Sequence, residues 1–331
     1  MSEGGSLSCR LASLCFFLQG GICVNQLRYA LLVLIGASSY GISASIVKRT
    51  IGAGYTTPQV MGGQYTMGLA MMLFLFIFSK KQKMGIRPLI ELLCVGGLVG
   101  LTGIFYTVSL SKIPASLAVV MLFQFTWIGI LIEAIYLKQL PGREKALAVP
   151  LLWVGTLLAG GVGTAGAIRP EYFDGIVYGF LSAITFAFFI FFSGKAAKGI
   201  PSVQRSTVTA AGGLLLVLAV ASPSFMLDGT FAEGLWKYGL LLGLFGIVLP
   251  VGLFAIGMPK LDSGTATILS AAELPAAIVA ALLIVGEHVT LLQVAGILLI
   301  LIGIAIPPFS YSLAERRRHH GRSRKKEGFQ S

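Results

Sequence analysis

The sequence predicts an all-α integral membrane protein: ten transmembrane helices arranged as two inverted five-helix repeats. Three observations predict it. First, apolar runs of about 20 residues recur between Arg28 and Tyr311, and each is long enough to cross a hydrocarbon core as a helix. Only 11% of the 331 residues are charged and 56% are hydrophobic, with a mean hydropathy of +0.86. A soluble domain carries roughly a quarter of its residues as charges, so this chain cannot cover a water-facing surface. The alternation of an outer-membrane barrel is missing.

Second, the basic residues segregate. With the N-terminus in the cytoplasm and ten alternating spans, 20 of the 25 Lys and Arg fall on the cytoplasmic side, and Lys48, Arg49, Lys112, Arg169 and Lys237 fall outside. This positive-inside pattern predicts a multi-pass protein of the plasma (inner) membrane with both termini cytoplasmic. The net charge of +12, and the tail RRRHHGRSRKK in particular, is read as an orientation signal beside anionic lipid and not as a nucleic-acid site.

Third, the chain aligns with itself. The segments starting at Ser109 and Gly257 match without gaps at an offset of 148. This pairs Lys112 with Lys260, Ile113 with Leu261, Ala118 with Ala266, Ile130 with Ile278 and Gly155 with Gly303. A five-helix repeat crosses the membrane an odd number of times. Its two copies therefore enter from opposite faces, which is the inverted architecture of many transporters.

The spans follow in order. The first, 29–47, ends at Lys48 and carries Tyr40. The second, 60–79, ends at Lys80-Lys81. The third, 88–109, holds Tyr106 and the GxxxG pair Gly96 and Gly100. The fourth, 114–137, contains FQFTWIG, with Gln124 and Trp127, and ends at Lys138. The fifth is 145–163; the sixth, 174–194, closes at Lys195; the seventh is 206–224. The eighth, 235–257, holds the pair Gly239 and Gly243, and Pro250, expected to bend it. The ninth is 264–286 and the tenth 290–310. Small residues four apart let membrane helices approach closely. The chain thus divides into a lead (1–27), a first repeat (28–163), a second repeat (174–310) and a basic cytoplasmic tail (311–331).

The lead segment CRLASLCFFLQGGICV is apolar but short, and Arg10 and Gln19 interrupt it. It reads as a weak signal peptide without a small-residue cleavage site, or as untranslated leader preceding a start at Val24. The cysteines Cys9, Cys15, Cys23 and Cys94 fit neither zinc nor disulfide spacing and are read as inert.

The ninth span contains ILSAAELPAAIV, in which Glu273 is the one ionisable residue. A charge at the bilayer centre costs at least about 2.5–3.5 kcal/mol. Pro275, two residues on, removes a helix N–H and frees a carbonyl. An acid beside a helix break is the leading candidate for proton coupling or for holding a cationic group. The alternative is a structural bond to a neighbouring helix. Gln124 and Trp127 are candidate cavity residues, one as a hydrogen-bonding amide that is costly to bury unpaired and one as a ring for apolar or cation–π contact. Tyr40 and Tyr106 could add hydroxyls to that cavity. Glu133 reads as the interfacial partner of a lysine one turn away, Lys138, and Glu91 as interfacial.

The run SGTATILSAAELPAAIVAALLIVGEHVTLLQVAGILLILIGI resembles the EamA-type family of the drug/metabolite transporter superfamily. The matching features are Glu273 and Pro275, then Gly286-Glu287 closing the helix, then Gln293 and Gly296 opening the next. The first half departs, with Lys138-Gln139 in the register of Gly286-Glu287, Phe125 in that of Glu273, and Gln64 where the family often has an arginine. The resemblance covers roughly residues 28–310. It implies a carrier for small metabolites such as amino acids, with a cavity lined mainly by spans 1, 3, 4, 6, 8 and 9. It also implies a turn-forming role for Gly286 and Glu287.

Catalytic signals are missing from the sequence: there is no metal-ligand spacing, phosphate loop or nucleophile–base pair. The expectation is a non-enzymatic secondary transporter that works without metal or cofactor, with export slightly favoured. Its expected partners are a small-molecule substrate and the lipid bilayer, with a homodimer left open and nucleic acid excluded. The other readings are a membrane scaffold or assembly protein with a decayed repeat and, less favoured, a membrane-embedded enzyme.

Overall fold

A computed structural model describes residues 21–113, 115–159, 170–220, 229–285 and 290–306, and all regular structure among them is helical. The helices are α1 (Gly21–Gly52), α2 (Thr57–Ile77), α3 (Ile86–Lys112), α4 (Ala115–Leu122), α5 (Phe125–Leu137), α6 (Arg143–Ala159) and α7 (Phe173–Ser193). They continue with α8 (Ser202–Val220), α9 (Trp236–Gly243), α10 (Leu249–Gly257), α11 (Ser263–Ser270), α12 (Glu273–Ala280) and α13 (Leu291–Ile306). A π-helical turn, Leu244–Val248, joins α9 to α10.

Eight helical stretches among the described residues are long and apolar enough to cross a membrane. The protein is therefore a multi-pass membrane protein. The predicted fifth and tenth spans coincide with α6, of 17 residues, and α13; both run into residues outside the described set. The lead to residue 20, Gly286, Glu287 and the tail also lie outside it. α1 starts at Gly21, eight residues before the predicted start at 29, and α8 starts at Ser202 rather than at 206.

Backbone contacts at glycine set the helix pairs. A β-carbon at Gly96 of α3 would strike the Thr209 carbonyl of α8 and lie 2.9 Å from the Gly212 Cα. On the other seam, a β-carbon at Gly243 would lie 2.7 Å from the Gly68 nitrogen of α2, and one at Gly239 3.1 Å from the Gly63 carbonyl. Both predicted GxxxG pairs thus sit at close crossings. Gly155 of α6 lies against Gly296 and Ile300 of α13 in the same way.

Polar side chains close the helix ends. The Thr265 N–H donates to Asp262 Oδ2 at 2.8 Å, capping α11. At α13, the Thr290 N–H donates to Gln293 Oε1 at 2.9 Å and the Gln293 N–H to Thr290 Oγ1 at 3.3 Å, a capping box. Arg205, which the sequence placed in the loop before the seventh span, lies in the first turn of α8 and is buried. It donates to the Ser193 carbonyl at 2.7 Å and the Ala255 carbonyl at 2.9 Å, tying the last turns of α7 and α10 together. A cation is favoured where helix carbonyls end unpaired.

Two spans are broken in mid-membrane. α4 gives way to α5 at Phe123-Gln124, and α11 to α12 at Ala271-Ala272. Both breaks tighten into three-residue turns. The Gln124 N–H donates to Met121 O and the Thr126 N–H to Phe123 O, each at 3.2 Å; the Ala271 N–H donates to Ile268 O at 3.1 Å and the Leu274 N–H to Ala271 O at 3.3 Å. Pro275 explains the second break, because it has no N–H to return to Ala271. The first break has no proline. There Thr126 Oγ1 bonds back to Phe123 O at 3.0 Å, and a threonine bonding its own helix bends it.

Candidate functional site: a cavity ending on Glu273

The break before α12 puts Glu273 at the first position of that helix, about 15 Å along the span from Ser263 at 1.5 Å per residue. That is near the middle of a hydrocarbon core of about 30 Å. α1 packs on α12 at this point, and Gly41 lies against the Glu273 backbone. With Gly41 holding the helices this close, the carboxylate enters a cavity of about 470 Å³.

Tyr40, Tyr106 and Glu273 line this one cavity. Glu273 Oε2 and the Tyr40 hydroxyl are both buried without a hydrogen-bond partner. Buried polar atoms are normally paired, so two orphans facing one cavity suit a ligand that supplies the bonds. The Tyr40 ring stands edge-on to Phe186 at 6.0 Å and to Phe254 at 5.9 Å, which fixes its plane. Among the described lining residues, Glu273 is the one carboxylate and Lys48, at the exposed end of α1, the one ammonium.

The cavity has an open end and a closed end. Its lining reaches the exposed Lys48 and Ile51, and Gln293 at the start of α13. Below Tyr40, the aromatic rings of Phe125, Phe186, Phe189 and Phe254 are all nearly or fully buried. Phe125 meets Phe186 edge-on at 4.8 Å and Phe186 stacks on Phe189 at 6.0 Å. These rings pack together between the cavity and the end of the bundle where α6 begins.

Gln124 and Trp127 are not in this cavity. Trp127 Nε1 donates to Gln124 Oε1 at 2.9 Å, and Gln124 Nε2 donates to the Val120 carbonyl at 2.9 Å. Gln124 borders a separate, smaller cavity of about 280 Å³ with Trp153 and Phe180. The two side chains sit three residues apart on one helix face and satisfy each other. Polar cavity residues that sequence reasoning did not single out include Ser43, Tyr65 and Thr102. Each is a small or hydroxylated residue in an apolar run, with no local signal of its own. Gln64, noted only as a departure from the family's arginine, also lines it.

The two break-forming residues are placed as follows. Pro275 is buried behind Glu273 in α12. Pro250 is at the start of α10, just after the π turn, where Ser39 Oγ donates to the Phe245 carbonyl at 2.6 Å. An α1 hydroxyl thus satisfies a carbonyl that the irregular turn exposes. Glu133 pairs with Lys145 at 2.6 Å and not with Lys138. Lys138 is instead the left-handed cap of α5 (φ 53°), in the register of Gly286. Glu91 accepts the Ala197 N–H at 3.4 Å and pairs with Arg87 at 3.2 Å. Among the described residues no cluster of His, Cys, Asp and Glu could hold a metal, and Cys94 is a free, exposed thiol.

Comparison with known proteins agrees with this architecture. The EamA-like transporter family matches residues 174–306. An uncharacterized transporter of Archaeoglobus fulgidus is 30% identical over 196 residues, covering 52% of this chain and 70% of that protein. A solved crystal structure superimposes with a TM-score of 0.66 at 17% identity, covering 84% of this chain and 94% of the other, which shows a shared fold. The chain belongs to the EamA-like transporter family and is a multi-pass membrane transporter.

Proposed function

We propose that the protein is a secondary active transporter of the plasma membrane that moves a small metabolite, an amino acid or related amine, by alternating access. Glu273 is its proton- or cation-binding group. The observation that carries this reading is the unpartnered Glu273 Oε2 in the wall of a mid-membrane cavity open at one end. A cavity of about 470 Å³ is in the range of small-molecule sites. One buried carboxylate flanked by Tyr40 and Tyr106 suits an ammonium group, through charge and through the ring faces.

Two five-helix inverted repeats would supply the alternation. The helix breaks support this reading. α4 and α5 map onto α11 and α12 at an offset of 148 at three boundaries: Ala115 on Ser263, Leu122 on Ser270 and Phe125 on Glu273; the last residue of α5, Leu137, falls on Val285, where the π turn that follows α12 ends. The same offset carries Lys112, the end of α3, onto Lys260. In that register the acid of the second half, Glu273, corresponds to an aromatic residue, Phe125, in the first. The segregation of basic residues supports cytoplasmic termini, which makes the Lys48 end the outer face and the cavity outward-open. Export is favoured by the family resemblance alone.

The test is substrate-driven proton flux in liposomes with an internal pH dye, given pools of amino acids, amines and sugars. Wild type should acidify or alkalinise the lumen with one pool, and Glu273→Gln should abolish that signal. Uptake of labelled substrate that survives Glu273→Gln at the wild-type rate would remove Glu273 from the transport path. A scaffold would move no solute in either form.

A further inference from the structure

At the closed end of the bundle three charged residues from three helical segments meet. Lys145 Nζ of α6 lies 2.6 Å from Glu133 Oε2 of α5 and 2.6 Å from Asp262 Oδ2, the cap of α11. The side chains of Lys145 and Glu133 are 9% and 6% exposed, and that of Asp262 33%. Ser263 Oγ donates to Glu133 Oε1 at 3.1 Å, so both carboxylate oxygens of Glu133 are engaged. Gly264 makes room: a β-carbon there would overlap the Glu133 carboxylate and lie 2.8 Å from Lys145 Nζ. One turn deeper, Gly129 of α5 lies against Thr267 of α11, where a β-carbon would come 2.6 Å from Thr267 Oγ1.

These contacts join the first half of the chain to the second across the α5–α11 crossing, on the far side of the packed aromatic rings from Glu273. The other end has no equivalent in sequence. At the offset of 148, Glu133, Lys145 and Asp262 correspond to Ala281, Gln293 and Pro114, none of them charged. An ion pair at that end, Lys112 with Asp174 at 2.9 Å, joins α3 to α7 and is exposed, where such pairs contribute little. Breaking a buried pair by removing one partner leaves an uncompensated charge; an exposed pair carries no such penalty.

We propose that Lys145, Glu133 and Asp262 form an ionic latch that holds the α5–α11 crossing shut at the Lys145 end and biases the carrier toward the state open at Lys48. The latch rests on the alternating-access reading above. Opening at the Lys145 end requires α11 to move off α5, which pulls Asp262 and Ser263 away from Lys145 and Glu133. The Lys48 end has no charged residue at the corresponding positions. The two-fold pseudo-symmetry of the backbone is thus broken by charge. This sets a resting orientation without any ligand.

The test is accessibility, which needs no substrate. A Thr267→Cys reporter is placed in a background whose four native cysteines are replaced by serine. It is labelled with a membrane-impermeant maleimide from the face that carries Lys145. The parent should label slowly, because Thr267 is 1% exposed. Lys145→Met, which removes the charge, and Gly264→Ala, which keeps every charge but fills its space, should each raise the rate by roughly tenfold, a modest shift in a two-state equilibrium. A Ser43→Cys reporter labelled from the Lys48 face should slow in the same variants, whereas unfolding would speed both reporters. Rates unchanged in both variants, or both reporters speeding together, would overturn the latch. Solute flux in wild type is measured separately. Its absence alongside reciprocal labelling changes would sink the transport reading and leave the latch standing.

Discussion

Gly41 of α1 lies directly on the backbone carbonyl of Glu273, and a β-carbon at 41 would also come 2.6 Å from the Ala277 nitrogen. The position of the carboxylate in the cavity therefore depends on one hydrogen atom in a neighbouring helix. Backbone cannot yield as a flexible side chain can. Gly41→Ala should push α1 from α12 and lower stability by about 1–3 kcal/mol, the usual cost of overpacking. Thermal unfolding in detergent measures the stability loss. Binding or transport should fall further than stability does, since α1 also carries Tyr40. A variant that melts like wild type would show that the helices can separate freely.

Gln124 and Trp127 bond each other at 2.9 Å away from the main cavity. Gln124→Leu should leave the substrate dependence of transport unchanged and cost about 1 kcal/mol of stability, because the indole N–H loses its acceptor. A changed KM for the leading substrate would return Gln124 to the transport path.

Lys138 holds a left-handed conformation (φ 53°) as the cap of α5, with its N–H on the Ala134 and Ile135 carbonyls. A side chain in that region costs about 1–2 kcal/mol, which glycine avoids. Lys138→Gly should therefore raise the unfolding temperature, with a gain of about 1 kcal/mol after the extra chain entropy of glycine is subtracted. A fall in unfolding temperature would mean the lysine side chain contributes more than its backbone strain.

Asp262 sits between the spans. Burial pushes its carboxyl up, but the Lys145 ammonium and the Thr265 N–H outweigh that and hold it below the usual 3.8. For an acid held low when folded, the stabilisation is complete above the unfolded value and is lost as pH falls through the folded one. Labelling of the Thr267→Cys reporter from the Lys145 face should therefore be flat from about pH 8 to pH 5, after correction for the maleimide's own pH dependence. A rise within that window would show that Asp262 does not govern the latch at those pH values.

Much of the fold was legible because a membrane imposes length. Apolar runs, basic flanks and the offset of 148 located the helical spans, and the two mid-span breaks fall in that register. Glu273 was legible because it stands as the one ionisable residue in an apolar segment. Less was legible wherever the question was direction around a helix axis. In a soluble helix the polar face marks the outside. Here every face is apolar, so Tyr40 and Tyr106 could be placed in depth but not aimed, and Gln124 and Trp127 could not be seen to face one another.

What the sequence determined by itself is that this chain crosses the membrane many times and carries an acid midway along an apolar run. Each of these follows from one-dimensional quantities: length, charge and spacing. The tertiary structure decided which groups meet. Lys145, not the nearer Lys138, pairs with Glu133, and Asp262 joins them from 117 residues further on. Gly41 and Gly264 decide how close the backbones come. The physical reason is that packing and ion pairing act at a few ångströms between helices far apart in sequence, at distances that no local pattern encodes.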